Sequence, residues 1–231
     1  MPKAATLLHD HPNFTDLIRQ VAQAQHVASY LVEKDYWLMQ SLWGLQQQGW
    51  TFQLKGGTSL SKGHQIIQRF SEDIDVTIDY RSLVADVPDL ASLSNTQRKK
   101  LSDALKVALV KHVTEELVPA LRQALAQALP AHEVTIEVSD DAEKLWLYYP
   151  SAVENTDAYL RPGVLLEFGG RNATLPQDTM TIVPDVAAHV PVLAFPKERE
   201  YFVELRLPLD PVGAPAVARV LSCSESTSWL L

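Results

Sequence analysis

From Ser71 to Asp79 the chain reads Ser-Glu-Asp-Ile-Asp-Val-Thr-Ile-Asp, and its core alternates with period two. Successive side chains of a strand point to opposite faces. Asp73, Asp75, Thr77 and Asp79 therefore share one face, and Ile74, Val76 and Ile78 the other. Such a strand must bury one face and leave the acidic one accessible. Aspartate is depleted in strands, and two carboxylates about 7 Å apart along one edge repel each other. A hard divalent cation, which prefers oxygen ligands, would resolve that repulsion. Two metals about 3.5–4 Å apart are a known arrangement for in-line phosphoryl displacement. The bland alternative is a solvated edge strand.

The segment just upstream supplies a second half. Trp50, Phe52 and Leu54 alternate as a short strand, which breaks at Gly56-Gly57. Glycine reaches backbone angles that other residues avoid. Thr58 stands where a helix N-cap is expected, ahead of a short helix to about Gln68. Backbone N–H groups at such a turn suit an anion. A Walker A loop is excluded, because Gly63 is followed by His64 rather than by Lys and Ser/Thr.

The rest of the chain predicts an α+β domain. Helices are expected over 13–28, with Leu17, Val21, Ala24 and Ala28 on one face and Ile18 beside them, and from Ala28 or Val32 to Leu45, capped by Gly49. The second carries Glu33-Lys34-Asp35-Tyr36-Trp37, in which Lys34 and Asp35 read as ion-pair partners rather than catalysts. Residues 81–94 read as a loop. A leucine stripe then runs from Leu101 through Leu105, Leu109, Val113, Leu117, Leu121 and Leu125 to Leu129, and Pro119 should split it near Val118. Arg98-Lys99-Lys100 is the one dense basic run, and a solvated helix start explains it better than an RNA contact. From Glu133 the period changes to two. Val134–Val138, Leu145–Tyr149, Val164–Phe168 and Met180–Val183 read as strands of a mostly antiparallel meander joined to the first two. Glu167 stands out as an acid in an apolar strand before Gly169-Gly170. A metal shared with Asp73 and Asp75 would settle its charge; the alternatives are an exposed strand glutamate or a pair with Arg161 or Arg171.

Composition narrows the partners. With 231 residues, 46% hydrophobic and a net charge of −8, the chain is globular and acidic, a poor non-specific binder of nucleic acid. Its single cysteine, Cys223, permits no internal disulfide and fits a reducing compartment. No apolar run approaches the ~20 residues of a membrane helix, and the N-terminus lacks a signal-type core. A cytoplasmic protein with no membrane partner is expected.

Gly57-Thr58, a helix, and Asp73-Ile74-Asp75 together resemble the first motif of the DNA polymerase beta-like nucleotidyltransferase superfamily. The longer string Lys55-Gly56-Gly57-Thr58-Ser59-Leu60 with Arg69-Phe70-Ser71-Glu72-Asp73-Ile74-Asp75 looks more narrowly like the AbiEii/AbiGii toxin-type nucleotidyltransferases, from about Val32 to Phe202. The Lys34-Asp35-Tyr36 element is similar to one preceding the glycine motif in that family. The resemblance implies a nucleotidyltransferase-like mixed sheet with N-terminal and central helices. It implies Mg²⁺ or Mn²⁺ on Asp73, Asp75 and Glu167, and an NTP held by Lys55, Gly56, Gly57, Thr58, Lys62, Arg69 and Ser71. It further implies transfer to a tRNA 3′ end or a protein hydroxyl, and a cognate antitoxin.

The C-terminal part departs from the family pattern. Relatives carry a Pro-x-x-Arg stretch leading into a helix with a Phe-Trp-Glu-Lys-like string. Here only Pro196-Lys197-Glu198-Arg199-Glu200-Tyr201-Phe202 matches, and Glu204 is followed by Leu205 instead of Lys. Pro208, Pro211, Gly213 and Pro215 break regular structure. The expectation is one domain over 1–207 and an irregular tail over 208–231, of the kind a truncation or shifted frame leaves. The missing lysine points to weak activity, and to the alternative of an inactive nucleotide-binding or antitoxin-binding module.

Overall fold

The computed structural model describes residues 8–50, 52–68, 70–71, 73–84, 92–128, 134–154, 162–169, 178–186 and 205–209. A short 3₁₀ turn at Leu8–Asp10 precedes α1 (Phe14–Gln25) and α2 (Ser29–Gln47). In α1 the buried residues are Phe14, Leu17, Ile18, Val21 and Ala22; Ala24 and Ala28, expected on that face, are exposed. Helix α2 ends in a Schellman motif. Gly49 takes φ +79°, its N–H bonds Gln46 O at 2.9 Å, and the Trp50 N–H bonds Leu45 O at 3.1 Å. Leu31, Leu38, Leu42 and Leu45 repeat as an apolar stripe in the sequence, but α2 is buried nearly all round from Tyr36 to Leu42. It lies between α1, a later helix over Val118–Ala128 and the sheet, and a helix enclosed on every side needs no polar face.

After the loop, Ser94 caps α5 (Asn95–Lys111) in a reciprocal box with Gln97. The helical tract breaks at its expected point. A π-helical segment, His112–Leu117, separates α5 from α6 (Val118–Ala128). Pro119 has no N–H to give the α-pattern. The wider turn has a second effect. A four-residue apolar repeat drifts about 40° per step around a 3.6-residue helix. The π-turn accommodates an extra residue per turn, and Leu105, Leu109, Val113, Leu117, Leu121 and Leu125 all stay buried.

The sheet has seven strands in the order β3-β4-β5-β2-β1-β7-β6. These are β1 (Gln53–Lys55), β2 (Asp73–Thr77), β3 (Thr135–Val138), β4 (Lys144–Tyr148), β5 (Gly163–Gly169), β6 (Asp178–Ile182) and β7 (Leu205–Leu209). The meander β3-β4-β5 is antiparallel as expected, whereas β2 and β5 pair in parallel. One face carries Leu54, Ile74, Val76, Leu145, Leu147, Val164, Leu166 and Phe168. All are buried in one cluster with residues of α1, α2 and α6. The architecture is α+β, with N-terminal and central helices on a mixed sheet.

Three local expectations fail. Thr58 is no N-cap: α3 (Gly56–Thr58) already begins at Gly56, and a π-turn over Ser59–Gly63 ends the helical stretch five residues before Gln68. A four-residue helix, α4 (Tyr80–Leu83), lies where a loop was expected. Strand β7 runs through Pro208 and Leu209, past the expected limit of regular structure, with Pro208 opposite Thr179 and Leu209 beside Leu54. Its backbone pairs with two neighbours, a tertiary gain that a local reading of proline does not anticipate.

Candidate functional site

The open face of the sheet carries the chemistry. Register pairs Lys144 with Glu167, Glu167 with Asp75, and Asp75 with Lys55. Across four adjacent strands, about 4.8 Å apart, the row therefore reads Lys144, Glu167, Asp75, Lys55. Two carboxylates stand side by side with a lysine outside each. Asp73 lies two residues along β2 on the same face and is exposed.

Gly56 closes one end of this row. Its φ is +63°, in the left-handed region, and a Cβ on it would fall 2.0 Å from Asp75 Oδ2. The glycine is thus required twice, for the backbone angle and for the approach of the Asp75 carboxylate. The next residues of the turn hold the strand itself. Thr58 Oγ1 donates to the Asp73 carbonyl at 3.0 Å, and Ser71 Oγ donates to the same oxygen at 3.2 Å. Both hydroxyl protons fix the start of β2, and Thr58 is 2% exposed.

Lys62, expected among the phosphate ligands, sits in a different setting. Its ammonium pairs with Asp35 at 2.8 Å and also with Asp185, while the Asp185 N–H donates to Asp35 Oδ2 at 2.6 Å. Asp35 is fully buried, and its contact with Lys62 makes it an ion-pair partner, as expected. Burial pushes its carboxyl up to about 6 against the pull of Lys62, and the charge of Asp185 adds to the rise. For Lys62, burial pulls downward, but Asp35 and Asp185 outweigh it and raise the ammonium above the ordinary lysine value. This cluster lines a cleft of about 540 Å³ together with Thr58 and Ser71.

The expected site residues thus divide. Thr58, Lys62 and Ser71 line the cleft; Lys55, Asp73, Asp75 and Glu167 belong to the open sheet face, beside the Gly56-Gly57 turn. Arg69 lies outside the described residues, as do Arg161 and Arg171. Glu167 meets Lys144 instead, at 2.9 Å. The hydrogen bond to Glu167, that residue's charge and then the charges of Asp73 and Asp141 raise the Lys144 ammonium above its usual range. Sequence reading missed Lys144 and Asp185. Lys144 has a faint signal, since it shares the alternation of Trp146 and Tyr148, but only strand register places it beside Glu167.

As they stand, no three acidic, histidine or cysteine side chains among the described residues are close enough to hold a metal ion. The donor set nevertheless fits a hard cation. Three carboxylates share one face, and Gly56 leaves the space against Asp75 that a larger residue would fill. Among the described residues, no helix is long and apolar enough to cross a membrane.

Curated proteins include no match to the chain. The family model described as nucleotidyl transferase AbiEii toxin, type IV toxin–antitoxin system, matches residues 37–199. That span contains the glycine turn, the acidic strand, Lys144 and Glu167. The chain belongs to the AbiEii nucleotidyl transferase toxin family.

Proposed function

We propose that this chain is a Mg²⁺- or Mn²⁺-dependent nucleotidyltransferase that moves a nucleotidyl group from an NTP to a hydroxyl of RNA, such as a tRNA 3′ end, or of a protein, with the α–β phosphate bond broken and pyrophosphate released. The carrying observation is the direct register of Asp75 with Glu167, one strand from the Gly56-Gly57 turn. Asp73 and Asp75 would hold the cation, with Glu167 joining from β5. A divalent cation bound there supplies charge neutralisation on the transferred phosphoryl oxygens. The protein's own share is positioning and fixed electrostatics. Thr58 and Ser71 lock the β2 backbone at Asp73 through its carbonyl. Gly56 admits the Asp75 carboxylate to the turn. Lys55 lies beside Asp75 on the open face and offers a cation to the triphosphate, with the Gly56 and Gly57 amides nearby. Glu167, once free of Lys144, would help activate the acceptor hydroxyl. A cytoplasmic toxin restrained by a cognate antitoxin completes the reading.

A second reading, a nucleotide-binding or antitoxin-binding module without catalysis, is favoured by two observations. Leu205 follows Glu204 where the family pattern that the sequence resembles would have lysine, and Lys62 is already engaged by two aspartates. Thermal melting with each NTP, with and without Mg²⁺, tests the shared premise. An NTP at 100 times its Kd should stabilise the fold by about 2.7 kcal/mol. No Mg²⁺-dependent shift with any NTP would overturn the enzyme and the nucleotide-binding module and leave the antitoxin-binding one, and NTP binding without transfer would select the inactive nucleotide-binding module.

A further inference from the structure

We propose that Lys144 is a positioning residue that competes with the divalent cation for Glu167. This rests on the reading that Asp73 and Asp75 hold that cation. Glu167 has a rival on each side. Lys144 Nζ lies 2.9 Å from its Oε1 on the β4 side, and Asp75 is its register partner on the β2 side. A glutamate carboxylate that turns towards Asp75 and a shared cation must leave the lysine. With no cation, the same swing would bring two anionic groups together, so Lys144 keeps Glu167 apart from Asp75. The exchange is accessible, because the side chains of Lys144 and Glu167 are 49% and 35% exposed and neither is locked in the core. Lys144 therefore sets a threshold: Glu167 completes the donor set only where the cation outbids a protein ammonium.

The test is Mn²⁺ binding to the full chain, read from the loss of the free-ion electron paramagnetic resonance signal. It compares the parent, Lys144→Gln, Glu167→Gln and the double variant. Lys144→Gln is expected to tighten Mn²⁺ binding about two- to fivefold, the scale of a half-exposed ion pair. In the Glu167→Gln background the same substitution should gain clearly less, because the contested carboxylate is gone; the cycle isolates the contact from the general loss of a positive charge. Lys144→Arg should bind Mn²⁺ like the parent. Parent-like affinity in Lys144→Gln, or an equal gain in both backgrounds, would overturn this proposal and leave the metal reading intact. No Mn²⁺ binding by parent or variants would overturn the metal reading as well.

Discussion

Replacing Gly56 by alanine should separate folding from ligand binding. Two effects act at this residue. At φ +63° an L side chain is strained, by about 1–2 kcal/mol for the left-handed region. The added Cβ would also lie 2.0 Å from Asp75 Oδ2, 3.0 Å from its Cγ and 3.4 Å from its Cβ. Turning the carboxylate alone cannot relieve a contact that reaches Cγ, so the whole Asp75 side chain must move off the turn. Gly49→Ala is the matched control. Its φ is +79°, but nothing lies within 4 Å of the added atom, so it carries only the backbone strain. Gly49→Ala should lose about 1–2 kcal/mol, a fall in Tm of roughly 2–8 °C for a chain of this size, and Gly56→Ala at least as much, since the Asp75 side chain must also move. Only Gly56→Ala should also weaken Mg²⁺-dependent NTP binding, by at least tenfold, about 1.4 kcal/mol. Melting curves give the first quantity and NTP titration at saturating Mg²⁺ the second. If Gly56→Ala bound NTP as tightly as Gly49→Ala, the glycine turn would have no part in shaping the site.

Other substitutions probe the acidic strand and the buried cluster. Asp73→Asn and Asp75→Asn should each abolish metal-dependent transfer with Tm nearly unchanged, since each keeps its volume and removes a charge from a crowded face; transfer at the parental rate would rule out the metal assignment. Lys62→Met should cost about 3–5 kcal/mol at pH 7.5, because Asp35 would stay buried beside Asp185 without its ammonium. The pH dependence of that loss has a definite sign. The folded-state carboxyl of Asp35 lies above its ordinary 3.8, at about 6 with Lys62 present, and removing the lysine raises it further. A raised carboxyl favours the fold below the unfolded value, and that contribution fades as pH rises through the folded value. The gap in Tm between Lys62→Met and the parent should therefore narrow from pH 7.5 to 5.5, and a constant or wider gap would refute the buried-carboxylate account.

How far the sequence reveals the molecule depends on the range of the interaction concerned. The alternation of Asp73 to Asp79 and the apolar periods of β3, β4 and β5 are local patterns, and they place these strands within a residue or two. Pro119 likewise marks the break at Val118, although the π-helical form of that break follows from packing the leucine stripe. Long-range pairings are different. That Lys144 stands beside Glu167, or Asp185 beside Lys62, is decided by register and by a contact across 123 residues, which no local period encodes. Thr58 shows a subtler failure: its type suits an N-cap, but its hydroxyl is taken by the Asp73 carbonyl, and Gly56 opens the helix instead. Strand β7 escaped notice because prolines argue against regular structure, while pairing to β1 and β6 is settled only in the folded chain.

The central claim is nucleotidyl transfer from the Asp73, Asp75 and Glu167 face. Incubation of the chain with each α-³²P-labelled NTP, total RNA and Mg²⁺, followed by separate recovery of RNA and protein, tests it most directly. The account predicts label in one of the two fractions, lost with EDTA and lost in Asp75→Asn. Label in neither fraction from a folded, NTP-binding chain, or label that persists in Asp75→Asn, would contradict it.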